Sequence, residues 1–246
     1  MRDPNLEVLR TVIFKLGDLA DELVFIGGSV IGLYIKDTNV MSVRPTKDVD
    51  CVVKATSRVE YEALSQKLRA KGFNEDMQSD VMGRFRSESL ILDVMPTEKK
   101  ILGYTNRWYE PGIKNSQTID LDGTLKIRVF SIPYLVASKV DAFRGRGQND
   151  FRLSADIEDL VTLFDGIGDI SEQLASAPPD VGQSLLADLK EWLEKDEFLE
   201  SITGHISDRL NVEGRKQIVI RRLRKFGSSP KVGADMVSAS YNMLSL

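Results

Sequence analysis

The feature that most constrains this chain is a change of texture at Phe130. Ahead of it, short apolar runs of strand length alternate with stretches of helical periodicity. Behind it, only helical periodicity recurs. Strands are expected over residues 23–26, 48–54, 84–89 and 90–95. A further pair, 117–121 and 125–129, flanks Asp122-Gly123, a strong hairpin signal. Helices are expected over 6–19, over 30–35 with Ser29 as N-cap, and from Thr56 or Ser57 to about Ala70, where Lys71-Gly72 ends the helix. Beyond Phe130 the spacing predicts helices over 132–143, 154–164 and 181–193. This order predicts an α/β (α+β) chain: residues 1–130 form a domain with a mixed sheet, and residues 131–246 form a helical domain. The Ser-, Gly- and Pro-containing stretch 227–246 is expected either to dock or to stay partly disordered.

Composition narrows the chemistry. The chain has one histidine, His205, and one cysteine, Cys51. A Cys/His zinc site is therefore excluded, no intrachain disulfide can form, and a histidine triad would rest on His205 alone. His205 reads as a structural residue, and Cys51 as a small buried hydrophobe. Acid, base and metal work falls to Asp, Glu and Lys. The net charge is −4, so a polyanion would have to be bound by a local patch. The N-terminus lacks an apolar signal segment and no apolar run reaches membrane-spanning length, which predicts a cytoplasmic protein with no membrane partner.

Three pieces of sequence carry chemistry. Gly27-Gly28-Ser29 follows the 23–26 strand at a strand-to-helix turn. Glycines there let a phosphate approach the backbone, and the serine adds a hydroxyl donor. Asp48-Val49-Asp50 opens the next strand; the period of two puts both carboxylates on one face and Val49 on the other. Asp93 stands inside the apolar run 90–95, where an unpaired carboxylate is costly to bury. Carboxylates gathered side by side repel unless a cation neutralises them, and all-oxygen ligation suits Mg²⁺. Each piece alone has an ordinary structural explanation: a tight turn, a solvated strand face, a strand-end acid.

Taken together, these motifs resemble the DNA polymerase β-like nucleotidyltransferase superfamily. The stretch Arg44-Pro45-Thr46-Lys47-Asp48-Val49-Asp50 is similar to the Arg-x-Thr-x-Asp-φ-Asp signature (φ apolar) of its AbiEii-type branch, which includes toxins of toxin–antitoxin systems. Eighteen residues separate Ser29 from Asp48, a spacing that favours this branch over compact members. Around Lys139 and Ser154-Ala155-Asp156, the chain resembles the family's third motif, although Ala155 stands where lysine is common. The likeness covers about residues 22–165.

The resemblance implies an N-terminal polymerase β-like domain and transfer of a nucleotide from an NTP, with pyrophosphate release. It implies two Mg²⁺ ions held by Asp48, Asp50 and Asp93. It assigns nucleotide contacts to Gly27, Gly28, Ser29, Arg44, Thr46, Lys139 and Asp156, with Lys139 on the triphosphate. The implied acceptor is a hydroxyl of a tRNA 3′ end or of a protein, and the implied partner is a cognate antitoxin. A small-molecule acceptor, as in antibiotic nucleotidyltransferases, and a non-catalytic nucleotide- or partner-binding module stay open. So do lesser roles for other residues. Arg144-Gly145-Arg146-Gly147 reads as a basic loop able to touch phosphate. Residues 215–225 read as a helix whose basic face is either solvated or a tRNA stripe, and Trp108-Tyr109 as edge packing or a base-stacking pair.

Overall fold

The computed structural model describes residues 3–40, 42–146 and 150–228. The chain forms two compact units. One comprises Met1–Leu33 and Val43–Ser138, the other Tyr34–Ser42 and Lys139–Leu246. Among the described residues, no helix is long and apolar enough to cross a membrane.

The first unit is mixed α/β. Helix α1 (Pro4–Leu16) starts where the Asp3 side chain accepts the Asn5 N–H, with Pro4 in the first turn. It buries Leu9, Val12, Ile13 and Leu16, the apolar stripe its spacing predicted. A 3-10 segment (Gly17–Glu22) leads into β1 (Val24–Ile26), which is buried throughout. The helix expected after Ser29 is a 3-10 helix over Gly28–Leu33 instead. Ser29 does not cap it: its hydroxyl donates back to the Ile26 carbonyl at 3.4 Å. Gly28 and Gly32 disfavour an α-helix here. A methyl group at Gly32 would also stand 1.9 Å from the Asp3 carboxylate at the start of α1, so the segment depends on a residue without a side chain.

Next come β2 (Val49–Val53), α2 (Arg58–Ala70), β3 (Asn74–Glu75), β4 (Arg84–Ser87) and β5 (Leu90–Pro96). Ser57 caps α2 by accepting the Glu60 N–H, as expected. Two short helices, α3 (Lys99–Leu102) and α4 (Tyr109–Lys114), precede the hairpin β6 (Ser116–Asp120) and β7 (Lys126–Phe130). Helices this short carry too little periodicity to read from sequence. Among the described residues the sheet has seven strands in the order β3-β4-β5-β2-β1-β7-β6. It is mixed: β2 runs parallel to β5 and β1 parallel to β7, while the other neighbours are antiparallel. Parallel pairing in the centre leaves β1, β2 and β5 covered on both faces, which explains their near-continuous apolar runs.

Helix α5 (Ile132–Arg146) carries the chain from the first unit into the second. The second unit is helical: α6 (Ala155–Gly166), α7 (Ile170–Ala175), α8 (Pro179–Leu193), α9 (Asp196–His205) and α10 (Val212–Gly227). Phe143, Phe151, Trp192 and Phe198 form an aromatic cluster with ring centroids 4.8–5.6 Å apart. Lys139 lies buried between Asp156 (3.2 Å) and Asp159 (2.6 Å). Arg215 lies buried between Asp165 (2.7 Å) and Asp37 (2.8 Å).

Two sequence expectations are corrected here. Arg144, Gly145 and Arg146 belong to the last turn of α5, not to a loop; Gly147 lies outside the described residues. Arg144 pairs with Asp188 and Glu191, and Arg146 with Asp156, so helix propensity and ion pairs together extend the helix. On α10, Arg215 is buried, and Arg222 donates to the carbonyls of Phe164 and Asp165. The basic stretch is therefore not one solvated face, because two of its arginines satisfy acids and carbonyls of the interior. Most of the 227–246 tail, from residue 229 on, lies outside the described residues.

Candidate active site

The carboxylates predicted to act together meet at the centre of the sheet. Asp50 on β2 is in register with Asp93 on the adjacent parallel strand β5. Asp48 precedes Asp50 by two residues, at the mouth of β2. Val49 between them is wholly buried, so the strand alternates as its pattern required. Asp93 is 4% exposed, whereas Asp48 and Asp50 are half-buried.

A fourth residue joins them that sequence reasoning missed. Arg84 on β4 faces Asp93 across the antiparallel β4/β5 pair. Its Nε donates to Asp93 Oδ1 at 2.8 Å and its Nη2 to Asp93 Oδ2 at 2.7 Å; Nη2 also donates to Asp48 Oδ2 at 3.0 Å. The hydrogen bond to Asp93, with the charges of Asp93, Asp48 and Asp50, holds the guanidinium well above the usual arginine range despite its partial burial. Arg84 was visible as a strand residue but not as a partner. Its place follows from a two-residue turn at Glu88-Ser89, which sets Ser87 opposite Leu90 and hence Arg84 opposite Asp93. That turn has no Asn-Gly or Asp-Gly signal; Glu88 itself takes the left-handed conformation, φ 54°.

The loop side of the site is braced from α1. The buried Asn5 side chain donates to the Arg44 carbonyl at 2.8 Å and accepts the Thr46 N–H at 3.0 Å. Thr46 Oγ1 lies 2.6 Å from the Asp48 carbonyl and 2.9 Å from Asp48 Oδ1, and accepts the Asp48 N–H at 3.1 Å. Thr46 thus orients Asp48, and Asn5 orients Thr46. Arg44 is half-buried and reaches its neighbouring Pro45 carbonyl at 3.5 Å.

Gly27 lies against the cluster with φ +78°, a conformation that favours glycine. A methyl group there would come within 2.0 Å of Asp50 Oδ2. The glycine therefore makes room for the carboxylate as well as for the turn. Gly28 and Ser29 follow, both buried.

Lys139 and Asp156 belong to the second unit, where Lys139 holds Asp156 and Asp159. Burial pushes the Asp156 carboxyl up, but the charges of Lys139 and Arg146 bring it to a net position below the usual carboxylate range. Trp108 is buried edge-on against Tyr134, with ring centroids 6.3 Å apart, which is the packing role rather than base stacking. Burial pushes the Cys51 thiol well up, and the charges of Asp50 and Asp93 push the same way; the side chain is a buried hydrophobe. His205 bonds the Phe151 carbonyl at 2.8 Å, a structural contact.

Among the described residues, no three His, Cys, Asp or Glu side chains stand in a ready-made metal-holding arrangement. The donor set nevertheless fits a hard cation. Asp48 and Asp93 share one guanidinium, which takes the position of positive charge between them, and Asp50 is in register with Asp93.

No family model matches the chain, and no curated protein matches it. Among solved structures, it is similar to the crystal structure of JHP933 from Helicobacter pylori. Identity is 12%, coverage is 98% of this chain and 96% of that chain, and the TM-score is 0.44.

Proposed function

We propose that this protein is a Mg²⁺-dependent nucleotidyltransferase that moves a nucleotide from an NTP to a hydroxyl of a tRNA 3′ end or of a protein. One observation carries the reading. Asp50 and Asp93 stand in register on neighbouring strands, and Asp48 and Asp93 close on a single cationic group, Arg84. Three acids thus stand around one guanidinium at neighbouring central strands, the donor set a divalent cation on a polyphosphate would use.

In this reading, Asp48, Asp50 and Asp93 would hold the metal. When bound, Mg²⁺ supplies charge neutralisation at the α-phosphate and acidifies the attacking hydroxyl. The backbone of the Gly27-Gly28 turn would bind the outer phosphates and keep the leaving group oriented. The acceptor oxygen forms a bond to the α-phosphorus, the bond to the bridging oxygen breaks, and pyrophosphate departs. Asp93 would take the proton of the attacking hydroxyl or pass it to solvent. Thr46 and Asn5 keep Asp48 in place.

The test is transfer of label from each α-³²P-NTP, with Mg²⁺, into total RNA and total protein. Label entering either fraction with wild type but not with Asp48→Asn supports the enzyme and names the acceptor class. Equal labelling by Asp48→Asn removes the carboxylates from the chemistry. A folded protein that binds NTP without labelling either fraction turns the reading towards a small-molecule acceptor.

A further inference from the structure

Arg84 is not an ordinary surface ion pair. Its side chain is 16% exposed, and it spends two nitrogens on three charge-assisted bonds to two acids. Fork-to-carboxylate geometry of this kind is the strong form of the interaction. The same fork suits phosphate equally well. The remaining nitrogen, Nη1, makes no hydrogen bond among the described residues.

Arg84 also borders open space: it lines a cavity of about 370 Å³ together with Tyr61, Glu62, Glu75, Asp76 and Leu102. Asp48, its outer partner, is the more exposed of the two acids. The bond to Asp48 is therefore the one that solvent and ligands reach first.

From this geometry we infer that Arg84 is an internal counter-ion. It holds Asp48 and Asp93 away from the metal until a polyphosphate draws the guanidinium off, so that metal and nucleotide load together. The inference rests on the carboxylates being the metal site. It adds that the site is self-neutralised at rest and that Arg84 exchanges acid for phosphate. Arg84 is a positioning residue: it acts on the site through Asp48 and Asp93. A purely structural arginine would do the opposite on removal. Its loss would loosen the strands and weaken any metal site, whereas loss of a competing cation strengthens metal binding.

The experiment is a Mn²⁺ titration of the full chain without nucleotide, read by the electron paramagnetic resonance of free Mn²⁺. Wild type, Arg84→Gln, Arg84→Lys and the double variant Arg84→Gln/Asp50→Asn are compared, with folding checked by circular dichroism. Arg84→Gln is expected to bind Mn²⁺ about tenfold tighter than wild type, within the range of about 5- to 150-fold typical of coupled sites. Arg84→Lys, which keeps the charge but loses the fork, falls between the two, and Asp50→Asn abolishes the gain. If Arg84→Gln does not fold, Arg84→Lys decides by the same sign. Saturable Mn²⁺ binding that is no tighter in the Arg84 variants than in wild type overturns the role of Arg84 and leaves the metal site standing. Absence of saturable binding in every folded variant overturns the metal site and this inference with it.

Discussion

Replacing Gly27 by alanine should injure the protein at two levels that a second glycine separates. Gly27 has φ +78°, and an alanine there takes up a left-handed backbone at roughly 1–2 kcal/mol. The added methyl also comes 2.0 Å from Asp50 Oδ2, 2.7 Å from its Cγ and 2.8 Å from its Cβ. Forcing a group into such a space costs typically about 1–3 kcal/mol more. Gly103 has a similar φ, 86°, but nothing within 4 Å of the place its methyl would occupy. Gly103→Ala therefore carries the backbone cost alone. Urea unfolding followed by circular dichroism should show Gly27→Ala less stable than Gly103→Ala by about 1–3 kcal/mol. The extra cost falls on Asp50, so Gly27→Ala should also lose Mn²⁺ binding while Gly103→Ala keeps it. Asp50→Ala removes the carboxylate that meets the methyl. The double variant Gly27→Ala/Asp50→Ala should then be less destabilised than the sum of its parts, with a coupling of about 0.5–3 kcal/mol. Equal stability of Gly27→Ala and Gly103→Ala would refute the argument that Gly27 makes room for Asp50.

Two further predictions address the braces and the second unit. Asn5→Ala removes both bonds that tie residues 44–46 to α1. It should cost about 1–3 kcal/mol in urea unfolding and weaken Mn²⁺ binding through a misplaced Asp48, with no loss of helical circular dichroism. Lys139→Met leaves Asp156 and Asp159 buried without their central cation and should cost about 3–5 kcal/mol at neutral pH. The sign with pH is definite. In wild type, Asp156 is held below its usual range, so its share of stability is present above the unfolded carboxylate pKa and is lost as pH falls through the folded value. In Lys139→Met, Asp156 loses a cation that lowers it and protonates at higher pH, so the gap between variant and wild type should narrow on acidification; a gap constant from pH 7 to pH 4 would count against the Lys139–Asp156 pair.

The sequence alone encodes the mixed α/β first part and the helical second part, because period-two and period-3.6 patterns are local and each of the longer strands and helices carries its own. It likewise determined that Asp48 and Asp50 share a face, since alternation along one strand needs no partner. Tertiary structure decided which strands became neighbours. The register of β2 against β5 sets Asp50 beside Asp93, and such a parallel pairing is made across a long crossover that no local signal encodes. It decided that Arg84 closes the cluster, through a turn whose residues do not announce it. It decided, too, that Arg215, which sequence places on a basic helix face, and Lys139, which the resemblance assigns to a triphosphate, are buried among acids distant in the chain. A charge reports its burial only through the partners that neutralise it, and those partners are brought together by the fold.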